Sequence, residues 1–235
     1  LVEGLSLSTS FSFDGFRLVP WNEIPDSDTK YHFVARQGLL SSAPEMAVSR
    51  TRTISRRHTR PWDATFFGWT TSSIEAIQDV LLCAAVVSRA GAQLLGFWVI
   101  PPDWAPWKAT ESQFGVNRSR SAFREMLNGP ALENLASVHH GWQHRSANEK
   151  QRLRLPMERL NSSLLNQFPM VDSAIDLGIA YESTFLSGDG REQIGALIRR
   201  RAAKFLATDF GARQKISSYV KDVYKLRSLA VHNGS

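Results

Sequence analysis

The sequence predicts an α+β protein, with an N-terminal mixed α/β domain rich in strands over residues 1–145 and an all-helical bundle over 146–235. Three observations carry this. All seven tryptophans and eight of the ten prolines precede residue 145, and the last proline is Pro169. Period-two alternation opens the chain, whereas after residue 145 apolar residues recur at spacings of three and four. No internal repeat, phosphate-binding loop, dinucleotide fingerprint or paired-cysteine zinc spacing interrupts either part.

Leu5-Ser-Leu7-Ser-Thr-Ser-Phe11-Ser-Phe13 alternates cleanly and is expected to be a strand. Asp14-Gly15 then predicts a hairpin turn into Phe16-Arg-Leu18-Val19. Ala64 to Trp69 and Leu94 to Ile100 are expected as further strands. Ser73 to Arg89 between them predicts a helix, with Ser73 as N-cap and Gly91 past its end. Pro101 to Trp107 is an irregular aromatic loop, suited to surface packing or to stacking on bases or a peptide. Arg120 to Asn128 and Ala131 to His140 are expected as short helices split by Asn128-Gly-Pro130.

The second part predicts four helices: Arg145 to Gln167, kinked or restarted at Pro156, then Asp172 to Leu186, Glu192 to Thr208 and Ala212 to Val231. Ser187-Gly-Asp-Gly190 is a loop. The short connections predict antiparallel neighbours in an up-down bundle.

Charge and composition narrow the function classes. The net charge is +6 over 235 residues, which favours an anionic partner, nucleic acid above all. From Arg191 onward ten Lys or Arg face only Glu192, Asp209 and Asp222. A second basic cluster, Arg50, Arg52, Arg56, Arg57, His58 and Arg60, is either a solvated loop or a patch that tracks a nucleic-acid backbone. The single Cys83 excludes an internal disulfide framework and points to a reducing cytoplasm. No apolar run is long enough to span a bilayer, and no signal peptide is recognisable. The chain begins at Leu1, which predicts a trimmed fragment. His139, His140 and His144 do not share a helical face and have no cysteine to complete a ligand set, so no metal is expected.

Two polar residues sit within apolar stripes. Ile216, Val220, Val223, Ala230 and Val231 form one helical stripe, and Arg227 lies inside it. A buried arginine needs a partner, so Arg227 either snorkels its head to solvent or reaches an anion in a groove. His232, five residues on, is about 140° away around an ideal helix. The two converge only if the helix ends or distorts near Val231, or if two chains contribute. Asn233-Gly234 is a plausible helix stop. The other stripe runs Val171, Ile175, Gly178, Glu182, Phe185. Glu182 therefore either reaches solvent at a boundary or pairs with a cation, for which Arg201 and Arg227 are the candidates.

The stretch from about Leu153 to Gly234 resembles the Apea-like branch of the HEPN superfamily (higher eukaryote and prokaryote nucleotide-binding domains). The matching pieces occur in order: Arg159-Leu160 in a first helix, Asp176-Leu-Gly-Ile-Ala-Tyr-Glu182, the arginine-bearing Arg201-Ala-Ala-Lys-Phe-Leu206, and Tyr224-Lys-Leu-Arg227-Ser228-Leu-Ala-Val-His232-Asn-Gly234. The last is similar to the family's arginine, four to six residues, histidine signature. Asn233 departs from the glycine common after the histidine. The chain also stops three residues past His232, where family members continue into another helix, so the resemblance implies a truncated bundle.

The resemblance implies a HEPN-like bundle acting as a metal-independent endoribonuclease in antiviral defence or a toxin system, with no cofactor. It implies a homodimer whose two motifs face one cleft. His232 would serve as base or acid, Arg227 would stabilise the phosphorane, Ser228 would orient the phosphate or the histidine, and Glu182 would fix Arg227 or Arg201. Arg201, Lys225, Tyr224 and Asn233 would contact the RNA. A non-catalytic HEPN module that dimerises and binds nucleotide or nucleic acid is the alternative. With either, residues 1–145 would be a companion domain that senses a protein trigger.

Overall fold

The structure is a computed structural model that describes residues 2–24, 26, 30, 45–51, 65–99, 110–113, 124–165, 170–186 and 194–233. The basic run from Arg52 to Arg60, the aromatic loop Pro101 to Trp107 and the loop Ser187 to Gly190 lie outside the described residues. The protein is α+β, and its chain divides into two compact units, Leu1–His144 and Arg145–Ser235.

In the first unit, β1 (Val2–Glu3), β3 (Phe11–Phe13), β4 (Phe16–Pro20), β5 (Met46–Arg50) and β6 (Gln93–Leu94) form an antiparallel sheet in the order β3-β4-β5-β1-β6. The hairpin expected at Asp14-Gly15 is present. Phe13 pairs with Phe16, and both turn residues have positive φ, 46° and 77°, the backbone that a two-residue hairpin following strand twist requires. The expected strand from Leu5 to Phe13 is instead two pieces. Gly4, at φ 90°, bends the chain out of β1, and β2 (Leu5–Ser6) leaves the main sheet to pair in parallel with β9 (Glu125–Met126). That pairing also corrects the helix expected over Arg120 to Asn128, whose described part is extended and bonded to β2. Gly96–Val99 (β7) pairs with Thr110–Gln113 (β8).

Of the strand expected at Ala64 to Trp69, the described part, Thr65 to Trp69, is helical. Helix α1 runs Thr65–Val87. Aromatic and β-branched residues favour a strand locally, but the backbone ladder of a long helix overrides so weak a propensity. Ser73 is therefore inside the helix and not its N-cap. α1 buries Val80, Leu81, Leu82, Cys83, Ala84 and Ala85. Helix α2 (Gly129–Gln143) packs against it, and Trp142 Nε1 donates to Asp79 Oδ2 at 2.9 Å. The Asn128 side chain caps α2, accepting from the Ala131 N–H at 3.1 Å, with Pro130 in the first turn where its missing N–H costs nothing.

Burial, and secondarily Asp79, push the Cys83 thiol from 9.0 up to about 12. A raised thiol pKa adds stability that is complete below the unfolded value and lost as pH rises through the folded one. Unfolding free energy is thus expected to decline between about pH 9 and about pH 12. Urea midpoints measured across that range should slope less in Cys83→Ala, and equal slopes would contradict the assignment.

The second unit is all-helical: α3 (Ala147–Leu165), α4 (Met170–Phe185), α5 (Ile194–Leu206) and α6 (Phe210–Asn233). Ser146 and Glu149 form a capping box at the start of α3. α3 continues through a buried Pro156. Arg159 Nη1 donates to Asp176 Oδ1 at 2.8 Å and Ser173 Oγ to the Ser163 carbonyl at 2.7 Å, which sets α3 and α4 antiparallel. Asp209 caps α6, its Oδ1 accepting from the Ala212 N–H at 2.8 Å.

The simple up-down order fails between α4 and α5. Along α6, Arg227 lies against Gly178, Tyr224 against Gly195, and Arg213 against the Ala207 carbonyl. Tyr224 also meets Glu182. Both α4 and α5 thus run antiparallel to α6 and in the same sense as each other. The core between them holds Ile198, Ala202 and Val220, edged by Tyr181, Phe185 and Ile216.

Candidate functional site

The residues singled out in the C-terminal helix fall into two groups on different faces. The inner group is built on Glu182 of α4. Tyr224 Oη donates to Glu182 Oε1, and Arg227 Nη2 lies 3.2 Å from Oε1 and 3.3 Å from Oε2. The guanidinium also sits 5.6 Å from the centre of the Tyr224 ring, one turn before it. Arg227 and Glu182 keep 29% and 24% of their side-chain exposure, so the pair is half-buried. The Arg227 Nε is buried and lacks a hydrogen-bond partner. Burial first, then the hydrogen bond and charge of Glu182, push the Tyr224 phenol above its ordinary range. Tyr224 therefore remains a proton donor to the carboxylate throughout neutral pH.

Local sequence explains why this cluster forms. Val220, Val223 and Ala230 are buried, and Arg227 shares their stripe, so its stem is drawn into the groove against α4. The groove is open at that level because residue 178 is glycine. A Cβ there would fall 2.8 Å from Arg227 Cγ and 2.9 Å from its Nε, and closer still to Cδ. Glu182 lies one turn beyond Gly178 on the same ridge and meets the arginine head.

The outer group is Lys225, Ser228 and His232, all exposed and spaced three and four apart on one face. Of the two ways Arg227 and His232 could converge, an end or distortion of the helix near Val231 is not observed, because α6 continues to Asn233. Within one chain His232 is thus about 140° around the helix from Arg227 and about 7.5 Å along it. Arg201, the other candidate partner for Glu182, instead donates through Nη1 to the Phe185 carbonyl at 2.6 Å, satisfying the C-terminal end of α4. Asn233 is the last residue of α6.

Sequence reasoning missed the buried Asp176, paired with Arg159. Its signal was an acid in the middle of an apolar helix. It also missed what Gly178 does. A mid-helix glycine opposite an arginine in a stripe is the trace such a notch leaves in a sequence.

The first unit holds a second polar cluster. His139 is fully buried, edge-on to Phe13 and Phe16 with ring centres 5.3 Å away. Its Nδ1 is 2.9 Å from Asp14 Oδ2 and its Nε2 is 3.1 Å from Gln143 Nε2. The amide nitrogen can only donate, so Nε2 accepts and Nδ1 carries the proton. Both ring nitrogens are engaged, which suits a structural role. A cavity of about 260 Å³ opens beside it, lined by Asp14, Arg50, Glu75, Asp79 and His139 among others. Among the described residues no three His, Cys, Asp or Glu side chains are grouped to hold a metal ion, and no helix is long and apolar enough to cross a membrane.

Comparison with family models, with characterised proteins and with solved structures finds no match to this chain.

Proposed function

We propose that the Arg145–Ser235 unit is a metal-independent endoribonuclease of the HEPN type whose site is completed by a second copy of the chain. What supports this reading is one arrangement on α6. Arg227 is held in a groove by Glu182, and an exposed His232 stands five residues beyond it on a different face. An arginine pinned by a carboxylate and flanked by tyrosine is a fixed, oriented phosphate ligand. An exposed histidine is a proton carrier near neutral pH. The two cannot converge within one straight helix, so the chemistry requires His232 of one copy near Arg227 of another.

In such a site the RNA 2′-oxygen attacks the adjacent phosphorus and the P–O5′ bond breaks. A base takes the 2′-hydroxyl proton and an acid returns one to the leaving 5′-oxygen, leaving a cyclic phosphate and a 5′-hydroxyl. His232 fills the base or acid role. Arg227 stabilises the charge on the phosphorane oxygens. Ser228, one turn before His232, is placed to orient the phosphate or the imidazole. DNA lacks the nucleophile and is not cut.

One observation favours a second reading. The Arg227 head already contacts a carboxylate, so phosphate must compete with Glu182. A module that dimerises or binds nucleotide or nucleic acid without cutting it would tolerate this closed state. Incubation with structured RNA in EDTA separates the two. The nuclease reading expects cleavage in chelator and a fall of about 100-fold or more in Arg227→Ala. It also expects loss in His232→Ala and partial recovery when the two inactive variants are mixed. Cleavage that needs a metal overturns it. RNA retention without cleavage selects the binding module.

A further inference from the structure

The turn from α5 to α6 exposes what a soluble domain normally covers. Phe205 is 81% exposed and Phe210 75% exposed, and they close one helix and open the next. Phe205 is steadied edge-on against Phe185, with ring centres 6.3 Å apart. Single exposed apolar residues need no explanation, but two phenylalanines at one corner do.

The charge around this corner is one-sided. Between Ile194 and Lys221 there are seven lysines and arginines and one acid, Asp209. That carboxylate is occupied in capping α6, through the Ala212 N–H at 2.8 Å. Arg200, Lys204 and Lys215 are exposed. Exposed aromatic faces amid unbalanced cations match single-stranded nucleic acid, whose bases stack while its phosphates are neutralised. Anionic lipid also attracts cations beside exposed aromatic side chains, but only a nucleic-acid site distinguishes a base-bearing strand from an abasic one.

Resting on the RNA reading above, we propose that the Phe205–Phe210 corner is a base-stacking platform for single-stranded RNA. It lies at the other end of α6 from Arg227, seventeen residues from Phe210 to the arginine, or about 25 Å. A strand held there has its bases gripped one helix length from the phosphate ligand. The platform thus selects unpaired RNA over duplex, whose bases cannot reach an aromatic face.

The test uses a fluorescent single-stranded RNA of twelve nucleotides, its abasic counterpart and a duplex of the same length, all 2′-O-methylated so that no 2′-hydroxyl is left to attack the phosphate during the binding measurement. Binding to the full chain is read by anisotropy in EDTA. Stacking is worth about 1–3 kcal/mol per base, or roughly 5- to 150-fold. Wild type is expected to bind the single strand at least 5-fold tighter than the abasic strand or the duplex. Phe205→Ala/Phe210→Ala should lose that preference while keeping the residual, salt-dependent affinity, and Phe205→Trp should restore part of it. Both side chains are exposed, so the variants are expected to fold, and circular dichroism checks this. Equal affinity for base-bearing and abasic strands overturns the platform, as does an unchanged preference in the double variant. A double variant that changes oligomeric state and leaves RNA affinity intact assigns the corner to a protein contact and also overturns it. The nuclease reading is judged separately, by cleavage in wild type and Arg227→Ala. Base-dependent binding without cleavage keeps the platform and sinks the nuclease, and cleavage with no base preference does the reverse.

Discussion

Glu182→Ala is expected to lower the stability of the Arg145–Ser235 unit by about 2 kcal/mol. The carboxylate accepts from both Tyr224 and Arg227. Removing it strands a guanidinium whose Nε already lacks a partner and a phenol whose hydroxyl is half-buried. Breaking a fully buried ion pair costs about 3–5 kcal/mol. Here both side chains retain about a quarter of their exposure, so solvent screens part of the loss. Glu182→Gln should cost about half as much, because the amide oxygen still accepts one of the two bonds. A double-mutant cycle with Arg227→Ala isolates the pair, and a coupling of about 1–2 kcal/mol is expected. Hydrogen exchange in α4 and α6 reads the effect locally. Protection unchanged in Glu182→Ala would mean the cluster is solvated and that Arg227 is not fixed by it. The same variants carry functional information. If Glu182 positions the arginine, Glu182→Ala loses cleavage with Arg227 still present. If Glu182 only competes with phosphate, the variant binds RNA more tightly than wild type.

How much of this was legible in the sequence depends on the range of the interactions involved. The helices of the second unit follow from apolar spacing, a local property that survives tertiary context. The placement of Glu182 and Arg227 inside facing stripes follows from the same arithmetic, and so does the divergence of His232. The choice between Arg201 and Arg227 as the partner of Glu182 does not. Both arginines lie on apolar helices, and only the packing shows that Arg201 is taken by the Phe185 carbonyl. The parallel order of α4 and α5 is likewise invisible locally, because a short connection is expected to reverse direction. In the first unit the Asp14-Gly15 hairpin is legible because φ > 0 at both turn positions restricts the residue types. The two-residue strand Glu125–Met126 is not. It exists by pairing with Leu5–Ser6, more than a hundred positions away, and carries no pattern of its own.

Gly178 supplies the sharpest test of the site, because its effect is expected to change sign with its neighbour. In an ordinary helix interior, Gly→Ala stabilises by up to about 1 kcal/mol, through reduced backbone entropy in the unfolded chain. At position 178 the added methyl would overlap the Arg227 stem at Cγ, Cδ and Nε. Those atoms are the middle of the side chain, so relief requires moving the whole arginine out of the groove and away from Glu182. Overpacking of this kind costs about 1–3 kcal/mol and exceeds the propensity gain. Gly178→Ala is therefore expected to destabilise by about 1 kcal/mol, and Gly178→Val by about 3 kcal/mol, since the branched side chain also loses rotamer freedom in a helix. In an Arg227→Ala background the obstruction is gone. There Gly178→Ala should stabilise by about 0.5–1 kcal/mol, as at any open helical glycine. Urea unfolding of the four proteins measures both signs. Stabilisation by Gly178→Ala in both backgrounds would show that Arg227 does not occupy the notch. The groove would then be empty where the proposed chemistry requires its phosphate ligand.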